Sequence, residues 1–507
     1  MRQLSGHDAS FLDSDTTHAN ANVTLIHIYD QRTAPEGLVR FKTILRRVEE
    51  RIAGLPALRQ KLVRVPLGLD HPYWVDDPEF DLEYHVRHIA LPKPGDWRQF
   101  CIQASRIHAR PLDLGRPLWE IHVIEGLDGF LDLPPGSFAL LTKTHHALID
   151  PESGSEITML LHDTSPVPPA PAPPAPWFPE PAPGLVPMMA RGLAHSALAP
   201  LTLAGPLGRV WRRAAPAATH LLADLVGGAG QTPVTRFNAT VSPHRVFETR
   251  RFGLDEFRSI RGLVEGADVN DVVLAVCGGA LRRYLQRHDE LPPASLSAMA
   301  PFYVREPGAP ADAPPQLAFT RVDLGTDLDD PLSRLAHVHA QTSSSEVVAR
   351  ALGARELAQA GHRMPAATLA LSGKLLGRAL ASLEQRAPLA HCTITNVPGP
   401  EQPLYLCGAR MTYFSAIMPI ADGNGLVFAV TSYDGRIIVS PTSCRELMPD
   451  PALFAQCVRD SFQELLAHAA PQPLPAPVPR RPATAAPRRA PRRASPSGRR
   501  SPTSPAG

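Results

Sequence analysis

The residues best suited to chemistry are His145 and His146, which close the run Ser137-Phe138-Ala139-Leu140-Leu141-Thr142-Lys143-Thr144 and are followed by Asp150. An imidazole takes up and returns a proton near neutral pH, so a positioned histidine suits general acid–base work. The apolar run reads as a buried strand that would hold His146 rigidly, and Asp150 could fix either the ring or the backbone of the turn. Adjacent strand residues point to opposite faces, so the pair does not readily share one ion, and no metal site is expected. Six cysteines, none closer than 13 positions to the next, give no CxxC zinc pair and no dense disulfide framework. Reduced thiols are the expectation. The His-x-x-x-Asp spacing alone recurs by chance and names no reaction.

The surrounding pattern predicts the elements that must position these groups. Asn22 to Tyr29 reads as a strand, and Pro35 to Arg51 as a helix with Leu38, Phe41, Ile44, Leu45 and Val48 on one face. Another helix is predicted over Trp97 to Ala109, so residues 1–164 form a mixed α/β domain. From 166 to 183 ten prolines enforce an extended spacer, and residues 165–230 make a linker and crossover segment. Its second part is apolar and carries Arg191, Arg209, Arg212, Arg213 and Trp211. It either packs on both domains or lies at a lipid interface. Residues 231–466 read as a second folded region. Asn270 is expected to cap a long helix, Asp434-Gly435 to join two strands as a hairpin, and Pro451 to His468 to form the last helix.

The 507 residues carry a net charge of +2, but eight arginines sit in the tail 467–507, which is expected to be disordered. The rest of the chain has 43 bases against 49 acids, so no basic surface for specific nucleic-acid binding is expected. Residues 1–14 lack an apolar leader stretch. The most apolar window, Gly192 to Gly208, is broken by Pro200 and Pro206 and is too short for a span of about 20 residues. A cytoplasmic location is expected, with any membrane contact peripheral, on the inner membrane or on lipid inclusions.

Several further stretches share an order with one family. They are LSGHDASFLD from Leu4, HPYWVDDPEFDLEYHVRH from His71, PLDLGRPLWE from Pro111, NDVVLAV from Asn270, NVPGP from Asn396 and ADGNGLVFAVTSY from Ala421. With the double histidine, this chain resembles the bacterial wax ester synthase/diacylglycerol acyltransferase family, whose motif is HHxxxDG, over roughly residues 4 to 465. The resemblance implies a fold of the chloramphenicol acetyltransferase type: two similar α/β lobes, mixed sheets flanked by helices, with a tunnel between them. It implies transfer of a fatty acyl group from acyl-CoA to diacylglycerol, giving triacylglycerol, or to a long-chain alcohol, giving wax ester. Acyl-CoA is then a co-substrate, and no cofactor is implied. By carry-over His146 is the general base, His145 packs behind it, and Asp150 supports the loop. Asn270 and Asp271 either cap their helix or stand near the tunnel. Asn396, Pro398 and Gly399 form a stiff turn that shapes the site, whereas Trp119 is expected in the core.

The chain departs from the family at two loops. Pro151 replaces the glycine of the motif; it either moves the loop or serves as the first residue of a helix capped by Asp150. Pro314-Pro315 stands where a Gly-Asn pair is expected, with Gly325 in place of a proline soon after. These departures keep a second reading open, a relative that binds lipid or acyl-CoA with little or no turnover.

Overall fold

A computed structural model describes residues 2–66, 69–129, 133–148, 156–167, 177–181, 183–184, 186–194, 233–304, 316–344, 388–400 and 402–469. Asp150, Pro151, Pro314-Pro315, most of the proline-rich spacer and the arginine-rich tail lie outside the described residues. Residues 1–469 form one unit, and 470–507 belong to a second, none of which is described.

Strands buried along most of their length, with side chains packed on both faces, build the first sheet. Its strands are β2 (Asn22–Asp30), β5 (Val86–Ala90), β6 (Trp119–Leu127), β7 (Ser137–His145), β13 (Tyr405–Leu406) and β14 (Ala409–Ile417), in the order β13-β14-β2-β7-β6-β5. Only β5 and β6 run parallel. Ile26 and Ile28 of β2 point to one face and pack with Phe100, Ala104 and Ile107 of helix α4 (Trp97–Ala109). Tyr29 points to the other, where helices α2 (Phe41–Ile52) and α5 (Glu156–Leu161) bring Ile44, Val48, Ile52 and Leu161. All nine residues of β7 are buried, as expected for a central strand covered on both sides. A small antiparallel sheet of β1 (Arg2–Gln3), β4 (Tyr73–Asp76) and β3 (Gln60–Val63) stands beside it. Helices α1 (Gly6–Ser14) and α3 (Leu82–His85) and a further helix α6 (186–194) complete this part.

The second sheet has the order β11-β10-β12-β15-β16-β8, with β9 also on β16. These strands are β8 (Arg245–Phe247), β9 (Arg250–Gly253), β10 (Ser297–Val304), β11 (Gln316–Asp323), β12 (Cys392–Pro398), β15 (Val427–Tyr433) and β16 (Arg436–Cys444). Asp434 and Gly435 both take positive φ, 48° and 72°, so the predicted hairpin forms with Tyr433 opposite Arg436. Helices α7 (Leu254–Arg261), α8 (Val269–Arg287), α9 (Pro331–Thr342) and α10 (Pro451–His468) accompany it, and the core runs through Val272, Val276, Phe454, Val458 and Phe462.

Three expectations are corrected. Helix α2 begins at Phe41 rather than Pro35, because Gly37 takes φ +66° and its N–H closes a turn on Ala34 O; Leu38 is left half exposed. The cap of α8 is Asp268, whose carboxylate accepts from Asp271 N–H at 2.8 Å, and Asn270 is already helical. Tyr405–Ile417, read from sequence with the second folded region, adds two strands to the first sheet.

Candidate functional site

His145 is the last residue of β7, and His146 opens the single turn that follows. The two differ sharply in environment. His145 is 1% exposed, and its Nδ1 accepts the Ala147 N–H at 3.1 Å. Its proton therefore sits on Nε2, which donates to Asp15 Oδ2 at 3.1 Å. Both ring nitrogens of His145 are thus engaged in hydrogen bonds. His146 is half-buried; its ring lies flat against Phe11, with centroids 4.0 Å apart, and its N–H donates to Ala21 O at 2.8 Å. His146 is thus the less enclosed member of the pair, although its Nδ1 is buried.

Each support comes from a stretch that sequence analysis marked for another reason, or did not mark. Phe11 lies on α1, which begins where the Ser5 hydroxyl accepts from Asp8 N–H at 3.1 Å. Asp15 caps the far end of α1. Neither residue was predicted as part of the site. The Pro117-Leu118-Trp119 stretch contributes a backbone link, since Leu118 O accepts the His145 N–H at 3.0 Å. Trp119 is core, as expected: it is 2% exposed and its indole N–H donates to Leu58 O at 2.7 Å. Trp119, Thr142, Thr144, Ile157 and Leu161 border a small apolar void on the α5 side of β7.

Lys143, two residues before His145, is fully buried and donates to the carbonyls of Ile107, at 3.0 Å, and Arg110. Asn20 donates to the carbonyl of Ala109 and Asn22 to that of Arg110, which Lys143 also reaches, each at 3.3 Å. These groups terminate α4 and fix the start of the Pro111 stretch. Burial pushes the Lys143 ammonium down to about 8.

Beyond the undescribed turn, α5 is anchored by polar groups under the sheet. His162 Nδ1–H donates to Thr158 O at 2.5 Å, which leaves Nε2 to accept from the Tyr29 hydroxyl. His27 lies 3.4 Å from the Thr158 hydroxyl and stacks on Phe414. Burial pushes both imidazoles well down, His162 to about 4, so both are neutral. Asp163 follows, buried, with one carboxylate oxygen on Arg47 and the other on Arg51. Its backbone pairs with Tyr405 in both directions, at 2.8 and 2.9 Å. These anchors also escaped sequence reading, because their partners come from distant elements.

The remaining candidates lie in the second lobe. Asp271 joins α8 to α9: its carboxylate accepts from the Thr342 hydroxyl at 2.6 Å and faces His339 Nδ1 at 2.9 Å. Asn270, on the same first turn, is half-buried. Asn396 and Pro398 belong to the end of β12, not to a turn, and pair with Val430 and Ser432. Gly399 follows, its N–H on Ser432 O at 2.9 Å, against β15 and close to Phe414 of β14.

Comparisons with known proteins agree with this arrangement. Residues 4–273 match the wax ester synthase/diacylglycerol acyltransferase catalytic domain, and residues 316–466 match the C-terminal domain of the same family. A Mycobacterium tuberculosis protein provisionally named a diacylglycerol O-acyltransferase is 31% identical over 479 residues, 92% of this chain and 90% of that protein. O-acyltransferase WSD of Acinetobacter baylyi is 32% identical over 387 residues, 74% of this chain and 79% of its own length. Among solved structures, the wax ester synthase/diacylglycerol acyltransferase of Marinobacter aquaeolei superposes with a TM-score of 0.64 at 24% identity, covering 92% of this chain and 99% of that one. The starter condensation domain of rhizomide synthetase, solved with C8-CoA and Leu-SNAC, gives 0.52 at 15% identity over 93% and 94%. These structural likenesses establish the two-lobed fold.

Proposed function

This chain belongs to the wax ester synthase/diacylglycerol acyltransferase family of O-acyltransferases, and we propose that it moves a fatty acyl group from acyl-CoA to diacylglycerol, a long-chain alcohol or both, with His146 as the general base. The acceptor binds with its hydroxyl against the His146 imidazole, in a tunnel between the lobes. The imidazole takes the hydroxyl proton as the oxygen bonds to the thioester carbonyl carbon. The tetrahedral adduct then collapses with cleavage of the C–S bond, and the imidazolium returns its proton to the departing thiolate. A thiolate leaves far more readily than an alkoxide, so no acyl-enzyme is required. General-base help of this kind contributes about 10²- to 10⁴-fold, and holding two substrates together supplies much of the rest.

The observation that carries this reading is the contrast within the pair. His145 is buried with both nitrogens engaged, whereas His146 is half-buried, stacked on Phe11 and anchored through its backbone to Ala21. A peripheral approach to a membrane or lipid inclusion would bring such substrates. Among the described residues no helix is long and apolar enough to cross a membrane, while Val186 and Leu193 are exposed on α6 and Phe178 is exposed in the stretch that precedes it.

The test is His146→Ala, assayed with radiolabelled acyl-CoA and a panel of diacylglycerols and alcohols, products being separated by thin-layer chromatography. The variant should fold, by circular dichroism, and form no ester above background. Ester formation at the parental rate would remove the mechanism.

A further inference from the structure

We propose that residues 15–21 form a strap through which the second lobe sets the position of His146, with Asp15 and Asp422 as its two anchors; the proposal rests on His146 being the base.

At the catalytic end, both oxygens of Asp15 are committed. Oδ2 receives the His145 Nε2 proton at 3.1 Å, and Oδ1 receives the Ala21 N–H at 2.8 Å. The carbonyl of the same Ala21 receives the His146 N–H at 2.8 Å. Asp15 therefore grips one histidine directly and the other through a single residue.

The middle of the strap is stiff. Thr16 N–H donates to Ala19 O at 2.6 Å, and the Thr16 hydroxyl accepts from Ala19 N–H at 2.9 Å, closing a turn over four residues. At the far end His18 Nε2 faces Asp422 Oδ2 at 3.2 Å, and the His18 carbonyl accepts from the buried guanidinium of Arg245 at 2.8 Å. The Ala19 methyl is packed into the core of the second lobe with Phe237 and Val241. Asp422 is itself fixed in that lobe, because its Oδ1 accepts from Val241 N–H at 2.9 Å.

The strap is thus a loop closed at the histidines by Asp15 and Ala21, and its apex, His18 and Ala19, is held by the second lobe only two residues before Ala21. A shift of the second lobe at this apex moves the Ala21 carbonyl, and His146 with it. Misplacement of a catalytic group by about 1 Å can cost on the order of 100-fold in rate. Asp15, His18 and Asp422 are positioning residues in this scheme, not proton carriers.

The test is a double-mutant cycle on the full-length protein, with kcat and KM measured for acyl-CoA and diacylglycerol. Asp15→Asn should lower kcat by about 10- to 100-fold with KM for acyl-CoA within about 2-fold, and Asp15→Glu should recover part of the loss. Asp422→Asn should lower kcat by a smaller factor. The double variant should fall no further than Asp15→Asn alone, since both changes act on one connected element. Parental kcat in Asp15→Asn, losses that multiply in the double variant, or losses matched by a fall in folded protein would overturn the strap. His146→Ala, run alongside, separates the two ideas: if it is inactive while Asp15→Asn is unimpaired, the strap fails and the base stands. If it is active, the base assignment fails and the strap with it.

Discussion

The phenyl ring of Phe11 lies nearly parallel to the imidazole of His146, with centroids 4.0 Å apart and 16° between the planes. A flat aromatic support restricts the side-chain torsions of His146 without competing for its nitrogens. Stacked pairs contribute about 0.5–1.5 kcal/mol beyond simple burial. Phe11→Ala should therefore lower kcat by roughly 3- to 10-fold, while Phe11→Tyr retains most activity. Steady-state kinetics of both variants would check this, and equal kcat in Phe11→Ala would show the stack to be incidental.

Acidification should loosen the ground under α5. His27 and His162 are held neutral by burial, the latter with its pKa pushed down to about 4, whereas an unfolded histidine titrates near 6.5. Between those values the unfolded chain binds more protons than the folded one, so stability is full above about pH 6.5 and falls as the pH drops toward 4. The loss from His162 is on the order of 3 kcal/mol by pH 4. Urea unfolding at pH 7.5, 6.5, 5.5 and 4.5 should show the decline, and His162→Gln should flatten it.

Gly399 has no room for a side chain. A Cβ there would meet Ser432 O at 2.2 Å and the Phe414 ring at 2.8 Å. Both obstacles are packed, one being backbone, so Gly399→Ala should cost about 2 to 3 kcal/mol. Thermal unfolding of the variant reads this directly, and an unchanged midpoint would mean that β12 shifts without penalty.

Much of the frame was legible because its signals are local. The run Ser137 to Thr144 into the double histidine, the capped helix Trp97–Ala109, the Asp434-Gly435 hairpin and the helix Pro451–His468 all depend on neighbours in sequence. The cap of α8 was legible too, but misread: Asp268 stands three residues before Asp271, the spacing of a capping box, and Asn270 drew the attention instead. The supports of the site were not legible. Asp15 meets His145 across 130 positions, and Asp163 meets Arg47 across 116, so no periodicity announces either pair. Nor does the burial of Ala409–Ile417 say which of two sheets it enters, because an apolar strand suits either.

That choice of sheet has a temporal consequence. Strand β2 is made within the first 30 residues, yet its partner β14 ends only at residue 417. On the ribosome the edge of β2 therefore remains open for most of the chain's synthesis, roughly 20 to 80 s at ordinary elongation rates. An unpaired edge is a template for pairing with other chains. The nascent protein must keep that edge covered until the late strand arrives, and a fragment that stops short of residue 405 would carry it permanently.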